Sequence, residues 1–216
     1  VFDIKAFSST DISFSFLETE PGIRFGKIQI KDHPIVFDDD FFLSYYIDPE
    51  IQITSVCEEK ASNYLEAVFA HDSAFNYKAM KLKDLDYELL AQSDVLILDG
   101  LNDIPSGLGN TIRSLLNNGS SLVFIPGTEL NLSESAISFF DKGLSYQDTL
   151  RLDMPLGSVN YEHPLFDGVF DDIPENIKMP FVKKMYTVSY SRQAGLQSVM
   201  SLKNGLPFVL EYKKAK

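Results

Sequence analysis

The run Asp94-Val95-Leu96-Ile97-Leu98-Asp99-Gly100 constrains this chain more than any other segment. Its apolar stretch is strand-sized and does not alternate with polar residues. Such a strand is buried on both faces, as in a parallel sheet covered by helices. Its neighbours fit that setting. Ile51 to Val56 reads as a short apolar strand and Phe75 to Leu82 as a second. Between them, Ser62 to Phe69 reads as a helix with Tyr64, Leu65, Val68 and Phe69 on one face and Ser62 as its N-cap. Asp84 to Ala91 reads as a short helix carrying Leu85, Leu89 and Leu90. After Pro105, Ser106 to Asn117 is predicted helical, with Ile112, Leu115 and Leu116 inward and Asn118-Gly119 as its stop. Ser121 to Ile125 is expected to be another buried strand, turned by Pro126-Gly127. A last helix is expected from Ser133 to Phe140, ended by Lys142-Gly143. Strand and helix thus alternate from Ile51 to Gly143, the pattern of parallel βαβ units with right-handed crossovers.

The flanks read differently. Val1 to Phe7, Ser13 to Leu17, Phe25 to Ile30 and Phe41 to Ile47 are strand candidates, separated by Pro21-Gly22, Pro34 and Asp38-Asp39-Asp40. Period-two patterning with turn residues between the runs indicates antiparallel strands with one buried face. A layer this thin needs something to pack on. Beyond Gly143, Leu150 to Leu156, Phe181 to Tyr190, Gln197 to Leu202 and Leu206 to Tyr212 are strand candidates. Asn204-Gly205 marks a hairpin between the last two. His163 to Phe170 and Asp171 to Pro180 read as loop and turn. The expected organisation is an antiparallel β segment over residues 1–48 and an α/β domain with a C-terminal hairpin over residues 49–216.

Composition narrows the partners. The 216 residues suffice for a sizeable core without disulfides or metals. The net charge is −12, with no basic face in the sequence, which argues against nucleic acid and anionic lipid surfaces as partners. The one basic cluster, Lys213-Lys214-Ala215-Lys216, reads as a solvated terminus. No window approaches the roughly 18 to 20 apolar residues that span a bilayer. The chain opens at Val1 without a signal-peptide pattern and is expected to be a piece of a longer protein.

The segments Ser62-Asn63-Tyr64-Leu65-Glu66-Ala67-Val68-Phe69, Asp94 to Leu101, Ile104-Pro105-Ser106-Gly107-Leu108 and Leu122-Val123-Phe124-Ile125-Pro126-Gly127 carry a further signal. Together with Asp32-His33-Pro34-Ile35-Val36-Phe37-Asp38 and His163-Pro164-Leu165-Phe166-Asp167-Gly168-Val169-Phe170, they resemble the extramembrane part of bacterial BatA-like membrane proteins, those with an aerotolerance-regulator N-terminal region. The resemblance covers about Gln29 to Phe208 and rests on scaffold motifs. It implies a flavodoxin-like domain of class I glutamine-amidotransferase type: a parallel sheet with helices on both faces, preceded by an antiparallel β layer. It also implies membrane helices outside this sequence, a place on the periplasmic side of the inner membrane, and other envelope or membrane proteins as partners.

Active amidotransferase-like domains place a Cys on a sharp turn after a central strand, where backbone N–H groups meet a developing oxyanion. The equivalent turn here is Pro126-Gly127-Thr128-Glu129, with neither Cys nor Ser. Cys57, the lone cysteine, falls at the end of the first α/β strand and reads as a buried, inert thiol. Thr128 as a substitute nucleophile would need a strong base, and no His is close in sequence. No G-x-S-x-G elbow occurs. Gly107-Leu108-Gly109 opens a helix, but Ile112 stands where a dinucleotide fingerprint has its third glycine. His33, His71 and His163 lack metal-ligand spacing, Asp38-Asp39-Asp40 lacks the calcium-loop pattern, and Glu18 with Glu20 or Asp171 with Asp172 has no spacing that forces pairing. No cofactor or metal is expected. The 17 Phe and 10 Tyr, among them Tyr45, Tyr46, Tyr186 and Tyr190, read as packing between the β layer and the α/β unit, with an exposed interaction face as the alternative. The expected function is a non-catalytic interaction or scaffold module of an envelope protein. The rivals are a hydrolase or transferase centred on Thr128 and Glu129, and a carbohydrate-binding module. Any small ligand is expected at the carboxyl ends of the strands, against Gly100, Leu101, Asn102, Ser106, Gly127, Thr128 and Glu129.

Overall fold

The structure, a computed structural model, describes residues 8–13, 15–16, 18, 20–30, 39–47, 49–130, 144–170, 178–190 and 195–213. Several expected features lie outside these residues: the strand Val1 to Phe7, His33, Pro34, Asp38, the helix Ser133 to Phe140 with its Lys142-Gly143 stop, most of Asp171 to Pro180, and Lys214 to Lys216.

The apolar run at Asp94 does form the centre of a parallel sheet. The strands are β3 (Ile51–Cys57), β4 (Phe75–Lys81), β5 (Val95–Leu101) and β6 (Ser121–Pro126), hydrogen-bonded in the order β4-β3-β5-β6. Leu96, Ile97 and Leu98 are all buried, as a strand covered on both faces requires. Helix α1 (Asn63–Phe69) starts at its expected cap, with Ser62 Oγ accepting from the Tyr64 amide at 3.3 Å. Phe69 packs edge-on against Phe75 and tilts onto Tyr77, so α1 lies on one face of the sheet. The other face carries Val56, Leu96 and Leu98. These residues share a core with Leu90 of α2 (Tyr87–Leu90) and with Leu108, Ile112 and Leu115 of α3 (Ser106–Asn117). Burying a leucine of this kind contributes about 1.5–3 kcal/mol. At the amino-terminal edge, Ser93 Oγ donates to Thr54 Oγ1 at 2.7 Å, which satisfies two buried hydroxyls at once.

Four expectations need correction here. On α1, Tyr64 and Val68 point to solvent, and only Leu65 and Phe69 are partly covered. A seven-residue helix packed at one sheet edge covers a narrower stripe than its spacing suggests. The helix expected over Asp84 to Ala91 is broken. Leu85 is extended, with ψ of 127°, and Asp86 Oδ1 accepts from the Glu88 and Leu89 amides, so Asp86 caps a single turn. β6 is not buried on both faces. It is the sheet's edge strand among the described residues, and Val123 and Ile125 remain 44% and 43% exposed while Leu122 and Phe124 face the core. Finally, Ser13, Ser15 and Phe16 are not in a strand.

The N-terminal layer is a two-stranded hairpin among the described residues. β1 (Gly22–Gln29) pairs antiparallel with β2 (Asp40–Ile47), and neither is bonded to another strand. Gly22 opens β1 rather than interrupting the pattern, at a φ of +111° that favours glycine. The C-terminal part exceeds a hairpin. β7 (Leu144–Val159), β8 (Phe181–Tyr190), β9 (Leu196–Leu202) and β10 (Pro207–Tyr212) form an antiparallel sheet in the order β10-β9-β7-β8. The long β7 changes partner along its length, pairing β8 up to Pro155 and β9 from Leu156. Leu156, Val182 and Leu202 seed a separate core filled by Met154, Met179, Met185 and Met200. Asn204-Gly205 makes the β9–β10 turn as expected, with Gly205 at φ +83° and its amide bonded to the Leu202 carbonyl. Among the described residues no helix is long and apolar enough to cross a membrane.

Candidate functional site

Loops after β3, β5 and β6 meet at the carboxyl ends of the parallel strands. Gly100 sits at φ +71° where the β5–β6 register shifts, and this bend swings Leu101 and Asn102 over the start of the β6 loop. The Gly127 amide then donates to the Leu101 carbonyl at 2.9 Å. A side chain at Gly127 would press on Asn102 Oδ1 and put its Cβ 2.6 Å from the Gly100 carbonyl oxygen, so only glycine fits this approach.

Asn102 is the centre of the arrangement. Its Oδ1 accepts from the Glu129 amide at 2.9 Å, and its own amide donates to Glu58 Oε1 at 2.9 Å. Glu58, Asn102 and Glu129 therefore lash together the loops that follow three strands. The C-terminal sheet adds a second tie. Tyr186 Oη accepts from the Leu130 amide at 2.7 Å, and Lys184 Nζ donates to the Thr128 carbonyl at 2.9 Å. Tyr186 stacks edge-on against Tyr146, which meets Phe124 of β6 in the same manner. Burial pushes the Tyr146 hydroxyl up to about 12.

The sequence-derived site residues divide as follows. Gly100, Leu101, Asn102, Gly127, Thr128 and Glu129 are brought together, and their polar contacts run to one another, to Glu58 and to β8. Ser106 starts α3 on an exposed face. The amides of Gly127, Glu129 and Leu130 are each committed to a protein acceptor. An oxyanion-stabilising turn instead aims such donors at the reacting atom. Glu58 and Lys184 were not identified from sequence, and Tyr186 was read there only as packing or an interaction face, not as the partner of Leu130. Tyr186 lies 56 positions from Leu130, and no local pattern links them.

The remaining candidates fall into place individually. Cys57 is buried and its Sγ donates to the Met80 carbonyl at 3.4 Å. Burial, and secondly the Asp99 carboxylate, raises its thiol above the ordinary range, the opposite of what activates a nucleophilic cysteine. Gly107 faces Tyr87, whose hydroxyl oxygen would lie 2.9 Å from a Cβ there, so this glycine serves the packing of α3 on α2. Asp40 pairs with Lys27 at 2.9 Å and accepts from Gln29. His71 is exposed, while His163 is buried against Glu211. Among the described residues no three His, Cys, Asp or Glu side chains gather as a metal-binding group. Tyr186 does lie at a junction, but between the α/β unit and the C-terminal sheet rather than the N-terminal layer.

The β1–β2 hairpin offers the contrasting surface. The register places Ile23 opposite Tyr46, Phe25 opposite Ser44 and Lys27 opposite Phe42, so all six share one face. On it Phe25 is 82% exposed and Phe42 72%, with Ile23 and Tyr46 also largely open. The Lys27 ammonium sits 5.6 Å from the Phe42 ring centroid. The opposite face is better covered, with Phe16 packed on Tyr45.

No protein-family model matches the chain, and no curated protein matches it either.

Proposed function

We propose that this chain is a non-catalytic interaction module of a membrane-anchored envelope protein, acting on the periplasmic side of the inner membrane. Its α/β unit is read as a flavodoxin-like, amidotransferase-type scaffold. The strand order β4-β3-β5-β6, with the first strand internal, supports that reading. The observation that carries the function is the β1–β2 face, where Ile23, Phe25, Phe42 and Tyr46 stand in water on one side of a two-stranded sheet. Contiguous exposed aromatic and aliphatic side chains mark interaction sites. The strand ends support it from the other side, because the Glu129 and Leu130 amides, Asn102 Oδ1 and the Thr128 carbonyl are engaged within the protein.

The test compares the intact chain with the Phe25→Ser/Phe42→Ser double variant in retention of solubilised envelope proteins, quantified by mass spectrometry. A specific partner lost with the double variant, while the far-UV circular dichroism is unchanged, is the expected outcome. Equal retention by both overturns the reading.

One observation favours the rival enzyme. Lys184 Nζ donates to the Thr128 carbonyl at 2.9 Å, which brings an amine to the residue that carries the hydroxyl of the Pro126-Gly127-Thr128-Glu129 turn. Hydrolysis of a panel of acyl and amide substrates, abolished by Thr128→Ala and by Lys184→Met, would establish the rival.

A further inference from the structure

A strand at the edge of a sheet leaves every second N–H and C=O without a strand partner, and folds blunt such edges with charge, proline or a bulge. The described edges of this molecule follow that practice, with one exception. β4 carries Lys78 and Lys81, and β8 carries Lys183 and Lys184. β6 is six residues long and ends at Pro126 beyond a register shift. β10 opens at Pro207 and is bulged. β1 carries Arg24 and Lys27. β2 has none of these devices. Its register with β1 is unbroken over eight residues, and Phe41 to Ile47 contains no charge and no proline. Among the described residues β1 is its one strand partner.

The hairpin itself fixes which groups face outward. The Ile30 amide donates to the Asp39 carbonyl at 2.9 Å, so these two residues form a hydrogen-bonded pair. Bonded and non-bonded pairs alternate along antiparallel strands. The register then makes Ile28 with Phe41, Gly26 with Leu43 and Arg24 with Tyr45 the bonded pairs. Asp40, Phe42, Ser44 and Tyr46 turn their backbone N–H and C=O away from β1. All four residues are exposed, so this edge is open.

We propose that the β2 edge joins a second copy of the chain, β2 against β2 and antiparallel, with Leu43 on the two-fold axis. The sequence of β2 is complementary to itself in that register. Phe42 lies opposite Ser44 of the second copy, and Asp40 opposite Tyr46. By symmetry each pair occurs twice, so every outward N–H and C=O from Asp40 to Tyr46 finds a partner. On the other face Phe41 lies opposite Tyr45 of the second copy, an aromatic cross-strand pair that also occurs twice. Within this stretch no carboxylate faces another across the seam, although the chain carries a net charge of −12. A lone two-stranded hairpin is marginal in water, and pairing turns two of them into one four-stranded sheet. The seam uses the backbone edge and leaves the face bearing Phe25 open, so it stands apart from the partner proposed for that face.

Sedimentation of the full chain over a concentration series and disulfide capture test the pairing. The mass is expected to double as concentration rises. Ser44→Pro deletes an N–H that the hairpin does not use, and is expected to stay monomeric. Ser44→Lys leaves the backbone intact but charges the edge, and is expected to weaken association at least about tenfold. Phe25→Ser lies on the outer strand and is expected to dimerise as the wild type does. Cys57 is buried and is the lone native cysteine, so a crosslink reports the introduced thiol. In Leu43→Cys the two Cα atoms sit about 4.5 Å apart across a non-bonded pair, within disulfide reach, and mild oxidation is expected to link the copies. In Phe41→Cys they are about 14 Å apart, and no link is expected. A chain that is monomeric at every concentration overturns the proposal. So does association that survives both Ser44 variants, or crosslinking of Phe41→Cys as readily as Leu43→Cys. A dimer lost with Phe25→Ser would also overturn it, since the face rather than the edge would then hold the copies.

Discussion

The carboxyl ends of the parallel strands and the face of the β1–β2 hairpin are opposites in what they leave unsatisfied. At the strand ends the polar groups expected to meet a ligand meet each other: Glu58 holds Asn102, Asn102 holds Glu129, and Tyr186 holds Leu130. On the hairpin the apolar groups expected to find a core find solvent, Phe25 and Phe42 above all. The backbone amides that a ligand at the strand ends would use are engaged here by protein acceptors. A strand pair expected to be packing becomes a candidate surface once its face is open.

This contrast can be broken or sharpened by substitution. The largest effect is expected at Gly127. Gly127→Ala forces a Cβ against Asn102 and the Gly100 carbonyl, and should cost about 3 kcal/mol in urea unfolding. A neutral result would mean that the loops part easily and that the strand ends can open to a ligand. Tyr146 gives an effect of similar size at alkaline pH. Its folded-state value is raised to about 12 from an unfolded value of 10.0, so its contribution is complete below pH 10 and is lost as pH climbs from 10 towards 12. The loss should approach about 3 kcal/mol, and Tyr146→Phe should flatten that limb of the stability curve. Asn102→Ala leaves the Glu129 amide without its acceptor and should cost about 1–2 kcal/mol, with faster exchange of that amide. Smallest is the hairpin: Phe25→Ser/Phe42→Ser should shift stability by no more than about 0.5 kcal/mol, because both side chains are already in water. A large loss there would make the hairpin face a core surface and remove the basis for the interaction reading.

The legible parts of the fold were those governed by local pattern. β5 is legible because four apolar residues between aspartates have few alternatives, and α3 because its apolar spacing, Pro105 and Asn118-Gly119 agree. The Asn204-Gly205 turn is legible for the same reason. The position of β6 at the edge is not, since Leu122-Val123-Phe124-Ile125 has the composition of a central strand and only pairing order decides its exposure. The length of α2 depended on whether Asp86 would cap, a choice that its flanking leucines do not reveal. At the candidate site, the meeting of the loops followed from strand-end placement. The use made of their polar atoms did not, because Asn102 and Glu129 are 27 positions apart and Lys184 is 56 from Thr128. The first contact is set by which strands lie side by side in the parallel sheet, the second by how the two sheets dock.

The direct measurement places a photoreactive side chain at position 25 in one copy of the protein and at position 128 in another, each irradiated in cells with an intact envelope. A discrete crosslinked partner from position 25 and none from position 128 is the expected result. A discrete adduct from position 128, with none from position 25, would contradict the account and return function to the ends of the parallel strands.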